Sequence, residues 1–416
     1  MKPLVRITIS ALLGSIFAIC VLFGGCATPS MSSTSTTSRA GVAVVSGQLV
    51  VSGTNTSFLP RGFTSVGVVY PTQYAGILCK GPGVVPGSRL GQVLPDTQTA
   101  LTAPPLPGLH YNASFQAMVQ DWHANSVRLQ VSQGALEYEY ENDLSAYTDM
   151  VRGVVAQARA AGLIVFIAMQ NQLYGCTPYE NGALQTLPDA HTETGWKQLL
   201  NSTLTSDQGI VLEIMNEPDT SKACNTGLPY PDANWTDWAT GCGTNPTQGM
   251  LTVGQYVRTL APNNVLLFDG DRSAGTFAGF VVPNGMPSNS AYTVHPYHYV
   301  GGSESASISL WDSLFGNFEQ SGQAVVVTEW NEALQCGSDP NQTITDDFLQ
   351  SYLPGHSIGM IAYSWDAPYW SSGYLVNSYN YSGNTVNYNV IDPNNSGCAQ
   401  NGGNELLQEF KVQATQ

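Results

Sequence analysis

Two short segments of this chain place a glutamate where it could do acid–base or nucleophilic work. Ile210 to Met215 (IVLEIM) is an apolar run followed at once by Asn216-Glu217-Pro218, and Ala324 to Thr328 (AVVVT) is followed by Glu329-Trp330. A carboxyl group at the lip of a nearly charge-free strand is partly desolvated, which raises its pKa and suits it to hold and release a proton. Two such groups flanking an acetal, such as a glycosidic bond, divide the labour: one protonates the leaving oxygen and the other attacks the anomeric carbon. A lone glutamate in either place would more simply cap a helix or pair with an arginine. Glu217 and Glu329 therefore carry weight as a pair, and only if the fold brings the two strand ends together. Glu332 lies further out, where no strand would orient it, so Glu329 is the expected nucleophile.

Eight short β-branched or apolar runs could supply such strand ends: Phe58 to Phe63, Ser126 to Gln130, Leu163 to Met169, Ile210 to Met215, Val265 to Phe268, Ala291 to Val294, Ala324 to Thr328 and Met360 to Trp365. Continuous apolar strands of this length suit a parallel sheet buried on both faces. Helical patterns separate them. Leu144 to Ala161 sets Leu144, Tyr147, Val151, Val154 and Ala158 on one face, with Gly162 where a C-cap belongs. Asn112–Asn125, Thr194–Leu204, Thr247–Leu260, Ser307–Gln320 and Thr343–Leu353 are the others. This alternation predicts an α/β fold, a (β/α)8 TIM barrel over residues 42–416, with long loops at the active end. An open doubly wound sheet would usually show a Gly-rich phosphate turn after its first strand, and Gly81-Pro-Gly83 is not one. Val44 to Ser57 reads as a short hairpin closing the bottom of the barrel.

Composition narrows the ligand. Of 416 residues, 14 are Lys or Arg and 30 are Asp or Glu, for a net charge of −16. Nucleic acid is disfavoured, because phosphate binding needs a basic surface. Hydrophobic residues make up 43% and charged ones only 11%, so the chain is globular, and 42 Gly with 24 Pro imply many shaped loops. There is no Cys-x-x-Cys and no His-Glu-x-x-His, so a metal site is disfavoured, and cleavage by two carboxyl groups needs neither a metal nor an organic cofactor.

With these strand ends in order, the sequence resembles glycoside hydrolase family 5, among the clan A barrels. Asn216-Glu217-Pro218 is similar to the family's acid/base motif after the fourth strand, and Thr328-Glu329-Trp330 to its nucleophile motif after the seventh. Asn125-Ser-Val-Arg128, His295-Pro-Tyr297, Tyr363-Ser-Trp365 and Arg61-Gly62-Phe63 resemble further family patterns over about residues 44–375. The resemblance implies a retaining β-glycosidase, cellulase- or mannanase-like, with its two carboxyl groups about 5–5.5 Å apart. It implies that Arg128 and Tyr297 hold Glu329 ionised, that Asn216 binds the sugar 2-hydroxyl, that His295 tunes Glu217, and that Trp365 offers a face to the sugar ring. One departure stands out: Gln170 occupies the place where the family usually has a His. A Gln can hydrogen-bond a sugar hydroxyl but cannot become cationic.

Other features divide between site and scaffold. Trp122 fits a helical core position, whereas Trp235, Trp238 and Trp370 fall in loops that either line sugar subsites or pack. Glu137-Tyr-Glu139-Tyr-Glu141 reads as a solvated acidic loop, and Thr64 to His110 as a long insertion that could wall the cleft.

The N-terminus reads as a targeting segment. Lys2 and Arg6 precede a largely apolar run, Ile7 to Phe23, and Gly24-Gly25-Cys26 resembles a bacterial lipobox with Phe23 where Leu is usual. Residues 1–25 are read as signal, Cys26 as the lipidation site, and 26–41 as a Ser/Thr-rich tether. A plain signal peptide or a membrane helix are the alternatives. Beyond Cys20 and Cys26, six cysteines remain, an even number that fits disulfides in an exported chain, with Cys224 and Cys242 the best pair. The expected protein is an exported, lipid-anchored, monomeric glycosidase acting on a β-linked glucan or mannan. A non-catalytic glycan-binding lipoprotein and a transglycosylase are the rivals.

Overall fold

The computed structural model describes residues 40–65, 68, 109–170, 186–243, 247–297, 304–331, 346–366, 376–377, 389–390 and 403–415. The signal, Cys26 and nearly all of the tether lie outside them. So do most of the insertion after residue 65, Cys79, Cys176, Cys336, Cys398, Glu332 and Trp370. Among the described residues no helix is long and apolar enough to cross a membrane.

Strands β1 (Val42–Val45) and β2 (Gln48–Val51) form an antiparallel hairpin. Its turn residues Ser46 and Gly47 both have positive φ, the twist that two-residue hairpin turns favour. A side chain at Gly47 would begin 2.1 Å from the Gly322 carbonyl oxygen, so the turn seats on backbone and only glycine fits. Eight parallel strands then close a barrel: β3 (Arg61–Ser65), β4 (Ser126–Ser132), β5 (Ile164–Gln170), β6 (Ile210–Glu213), β7 (Val265–Asp269), β8 (Ser290–Val294), β9 (Val325–Val327) and β10 (Gly359–Asp366). Each pairs with its sequence neighbour, and β10 returns to β3. This is the expected (β/α)8 barrel. The first strand starts three residues later than the apolar run suggested. Val376–Asn377 and Asn389–Val390 form a small added ladder, β11 with β12.

Period-two alternation sorts the strand residues into two separate apolar clusters. Ile164, Phe166, Val211, Val265, Leu267 and Val326 fill the barrel, and Val42 and Leu49 of the hairpin join them. The hairpin thus plugs the barrel from below, as its sequence suggested. Val127, Leu129, Ile167, Leu212, Phe268 and Val327 face outward against the helices, with Trp122 among them. At roughly 25 cal/mol per Å² of buried apolar area, this outer layer dominates stability.

The helices follow the sequence pattern with local revisions. Ala146–Ala160 buries Tyr147, Val151, Val154 and Ala158, and Gly162 ends it at φ 95°. The segment expected at Thr194–Leu204 is two helices, Ala190–Leu199 and Ser202–Ser206. Leu200 turns extended, and the Asn201 side chain accepts the Leu204 N–H, restarting the helix. Residues 304–320 are helical with a π turn at Asp312–Gly316. The supposed acidic loop is corrected: residues 137–141 end the helix Gln133–Glu141, and Glu139 is buried. Its carboxylate accepts the Tyr147 and Thr148 N–H groups at 2.6 and 2.8 Å, capping the next helix. Cys224 and Cys242 are joined by a disulfide, as expected, with Cα atoms 5.5 Å apart.

Candidate active site

The alternation that fills the barrel with aliphatic side chains changes chemistry at the C-terminal strand ends. There Arg128 and Gln130 of β4, Gln170 of β5, Glu213 of β6, Asp269 of β7 and Thr293 of β8 are buried polar residues, joined by Glu329 just past β9. Buried charges must be paired, and Arg128 does the pairing. Its Nε and Nη2 donate to the two Glu213 oxygens at 2.8 and 2.5 Å. Nη2 also reaches Asn216 Oδ1 at 2.6 Å, and Nη1 donates to Glu329 Oε1 at 2.5 Å. Burial opposes the charge on Arg128, but Glu213 and Glu329 outweigh it and hold the guanidinium protonated.

Glu217 and Glu329 meet across His295. One oxygen of each carboxyl and a ring nitrogen of His295 lie within 4.8 Å of one another. Their surroundings differ. Glu329 accepts from Arg128, from Gln130 Nε2 at 2.9 Å and from the Tyr297 hydroxyl at 2.8 Å. Donors on both oxygens fix the carboxyl group in place. Burial, and then the Glu329 charge, push the Tyr297 phenol well above its usual range, so it remains a donor. The Glu217 carboxyl is a quarter exposed and meets His295 Nδ1 at 3.1 Å. The other His295 nitrogen faces Thr328 Oγ1 at 3.0 Å, and that hydroxyl faces Thr293 Oγ1. Glu217 sits at φ 53°, a left-handed backbone that non-glycine residues seldom adopt.

Within this network, Glu213–Asp269–His295 and Glu217–His295–Glu329 have ligand-like spacing for a cation. In the first, both Glu213 oxygens are taken by Arg128; in the second, Glu329 is held by three donors. A cation at either place would compete with these donors for carboxylate oxygens.

Of the sequence candidates, Arg128, Asn216, Glu217, His295, Tyr297 and Glu329 converge in this network. Gln170 stands at the β5 end, and its buried Oε1 has no hydrogen-bond partner among the described residues. Trp365 does not present an open ring face. It is 2% exposed and packs against Phe63 and Trp122 at centroid distances of 5.0 and 5.9 Å. The β10–β3 register shifts between Ala362 and Asp366, so simple alternation fails there and the Trp ring turns to the outer core. Tyr363 is the aromatic beside the site, its ring perpendicular to Tyr297 at 6.2 Å. Trp235 and Trp238 also pack: Trp238 is buried against Phe280 and donates to the Asp269 carbonyl, and Trp235 lies on Phe277 and Phe280. Sequence reasoning missed Gln130, Glu213 and Asp269. The signal was present, a polar residue at each strand's inward parity, but Gln130 and Glu213 fall within runs read as apolar strands and Asp269 just past one.

The geometry can be set beside known proteins. The pattern of the family described as cellulase (glycosyl hydrolase family 5) matches residues 98–368. No curated protein sequence matches the chain. Among solved structures, a β-glucanase from Saccharophagus degradans is similar, with TM-score 0.60 and 14% identity, covering 90% of this chain and 94% of that one. The catalytic domain of a Thermobifida fusca endoglucanase gives 0.55 and 16%, covering 90% and 98%. A β-mannanase from Streptomyces thermolilacinus gives 0.50 and 18%, covering 81% and 89%. At such identities these likenesses speak to the fold. The family match covers well over half of the chain, and this protein belongs to glycosyl hydrolase family 5.

Proposed function

We propose that the protein is a retaining glycoside hydrolase that cleaves β-linked glucan or mannan by double displacement. The observation that carries this reading is the asymmetry of two glutamates within 4.8 Å of each other, one fixed by three donors and one more exposed and touched by His295. In the first step the Glu329 carboxylate bonds to the anomeric carbon, while Glu217 gives its proton to the departing glycosidic oxygen. In the second, Glu217 takes a proton from water, whose oxygen displaces Glu329. The separation is in the short range that supports retention, well under the roughly 6.5–9.5 Å of inverting enzymes, which seat a water between base and sugar.

Arg128 and Tyr297 support the nucleophile, and the Asn216 side-chain oxygen accepts from Arg128, leaving its amide N–H groups for the sugar 2-hydroxyl. Gln170 would use its unpartnered oxygen on a sugar hydroxyl. A β-glucan substrate is supported by similar structures described with cellotetraose, and mannan by the similar mannanase. We further propose export by the N-terminal segment, with lipid on Cys26.

Glu329→Ala should lose roughly 10³-fold or more in kcat, and azide should restore turnover with inverted product. Glu217→Ala should lose about 10²–10⁴-fold on polysaccharide but far less on activated aryl glycosides in the glycosylation step. Inverted product from the wild type, read by NMR, would refute the double displacement.

A further inference from the structure

Glu217 is held from an unexpected side. Its backbone N–H, at a left-handed φ of 53°, donates at 2.9 Å to Oδ2 of Asp269, the fully buried last residue of β7. The segment after Asp269 is fastened to the same loop at three further points. Asp271 accepts the Thr220 N–H at 2.8 Å and the Thr220 hydroxyl at 2.5 Å, and the Ser273 N–H donates to the Pro218 carbonyl at 2.9 Å. The Ala274 carbonyl then accepts the His295 N–H at 2.8 Å. Arg272, Ser273 and Ala274 all have positive φ, between 57° and 62°. Consecutive non-glycine residues persist in that region only where the surroundings over-determine them. The end of β7 therefore ties the Glu217 loop and the His295 loop to one rigid turn.

We propose that Asp269 is a positioning residue for Glu217: by accepting the Glu217 peptide N–H, it fixes the left-handed backbone that aims the acid/base carboxyl at the leaving oxygen. This rests on the acid/base reading of Glu217. Among the described residues the buried Asp269 Oδ1 atom has no hydrogen-bond partner, a situation that costs a neutral acid less than a carboxylate. Burial, reinforced by the Glu213 charge, pushes this carboxyl well above its usual range, against the pull of Arg128. Asp269 then works as an uncharged acceptor. An amide can do the same, and an aliphatic side chain cannot.

The test uses the full chain with Asp269→Asn and Asp269→Ala. Each is assayed on carboxymethyl cellulose or mannan, whichever the wild type cleaves, and on the 2,4-dinitrophenyl glycoside of the same disaccharide. Glu217→Ala is the control. Asp269→Ala should lose about 10²-fold in kcat/KM on the polysaccharide, and under about fivefold on the dinitrophenyl glycoside, whose leaving group needs little protonation. Asp269→Asn should stay within about threefold of wild type on both. Equal losses on both substrates, or an Asn variant as impaired as Ala, overturn the proposal. If Asp269→Ala does not fold, Asp269→Asn decides alone: an altered ratio between the two substrates overturns it, and an unchanged ratio supports it. A Glu217→Ala control that shows no leaving-group dependence would instead refute the acid/base assignment itself.

Discussion

Arg128 serves three acceptors with one guanidinium, and the balance among them sets where Glu329 points. Glu213 takes two of its N–H groups, so it anchors the arginine from below while Glu329 is held above. Glu213→Gln keeps the volume but places an amide NH2 against a donor that needs an acceptor. Arg128 should then swing or tilt, and Glu329 with it. A misplacement near 1 Å at a reacting group costs about 10²-fold, so kcat should fall by about 10–10²-fold with KM changed less than about threefold. Steady-state kinetics on a soluble β-glycan read both constants. An unchanged kcat would mean that Arg128 needs no counter-charge beneath it. Removing one partner of a buried pair also typically costs about 3–5 kcal/mol of stability, so a melting curve accompanies the kinetics.

Strand ends explain both what the sequence revealed and what it hid. The β6 and β9 ends announced themselves because an apolar run stops abruptly at Asn216-Glu217-Pro218 and at Glu329. Glu213 and Asp269 were less legible: each is the last residue of its strand, and only the barrel's inward parity turns them toward Arg128 and Glu217. Parity also misleads, since the irregular end of β10 sends Trp365 outward and leaves Tyr363 beside Tyr297. The closed barrel was readable because eight continuous apolar runs alternate with helical patterns along the chain. The turn from Arg272 to Ala274 had no sequence mark, because none of its residues is a glycine. The β7 end makes a stability prediction. The Asp269 carboxyl keeps its proton more tightly in the folded chain than in the unfolded one. Below about pH 4 both states hold that proton, and the group's contribution is fully present. As pH rises further, the unfolded state releases it first, and stability is lost. Asp269→Asn does not titrate, so its melting temperature should match wild type near pH 4 and rise increasingly above it toward neutrality. A gap that shrinks as pH rises would show that Asp269 is ionised in the fold.

At the scale of the whole chain, the described barrel is self-sufficient at its lower end. The hairpin closes it, with Val42 and Leu49 packed among the strand residues, and the Val44 N–H donates to Asn289 Oδ1 at 2.7 Å. Arg159, buried beside β5, donates to the Ala40 carbonyl at 2.8 Å and to Asp207 at 2.9 and 3.0 Å. These contacts involve the first described residues of the chain and lie on the face opposite the catalytic groups. The proposed lipidation site, Cys26, precedes these residues in the sequence across a Ser/Thr-rich stretch. Attachment and catalysis should thus be separable. Cys26→Ser removes the only thiol that follows Gly24-Gly25, while leaving Arg159, the hairpin and the site untouched. Expressed with its signal in a bacterium that processes lipoproteins, the variant should move from the membrane fraction to the soluble fraction. Its kcat/KM and melting temperature should stay within about twofold and one degree of those of wild type. A single acyl chain binds membranes only marginally, so firm retention of the wild type after a high-salt wash fits a multiply acylated cysteine. If the serine variant stays in the washed membranes, the apolar run from Ile7 to Phe23 is itself the anchor, and Cys26 is not lipidated.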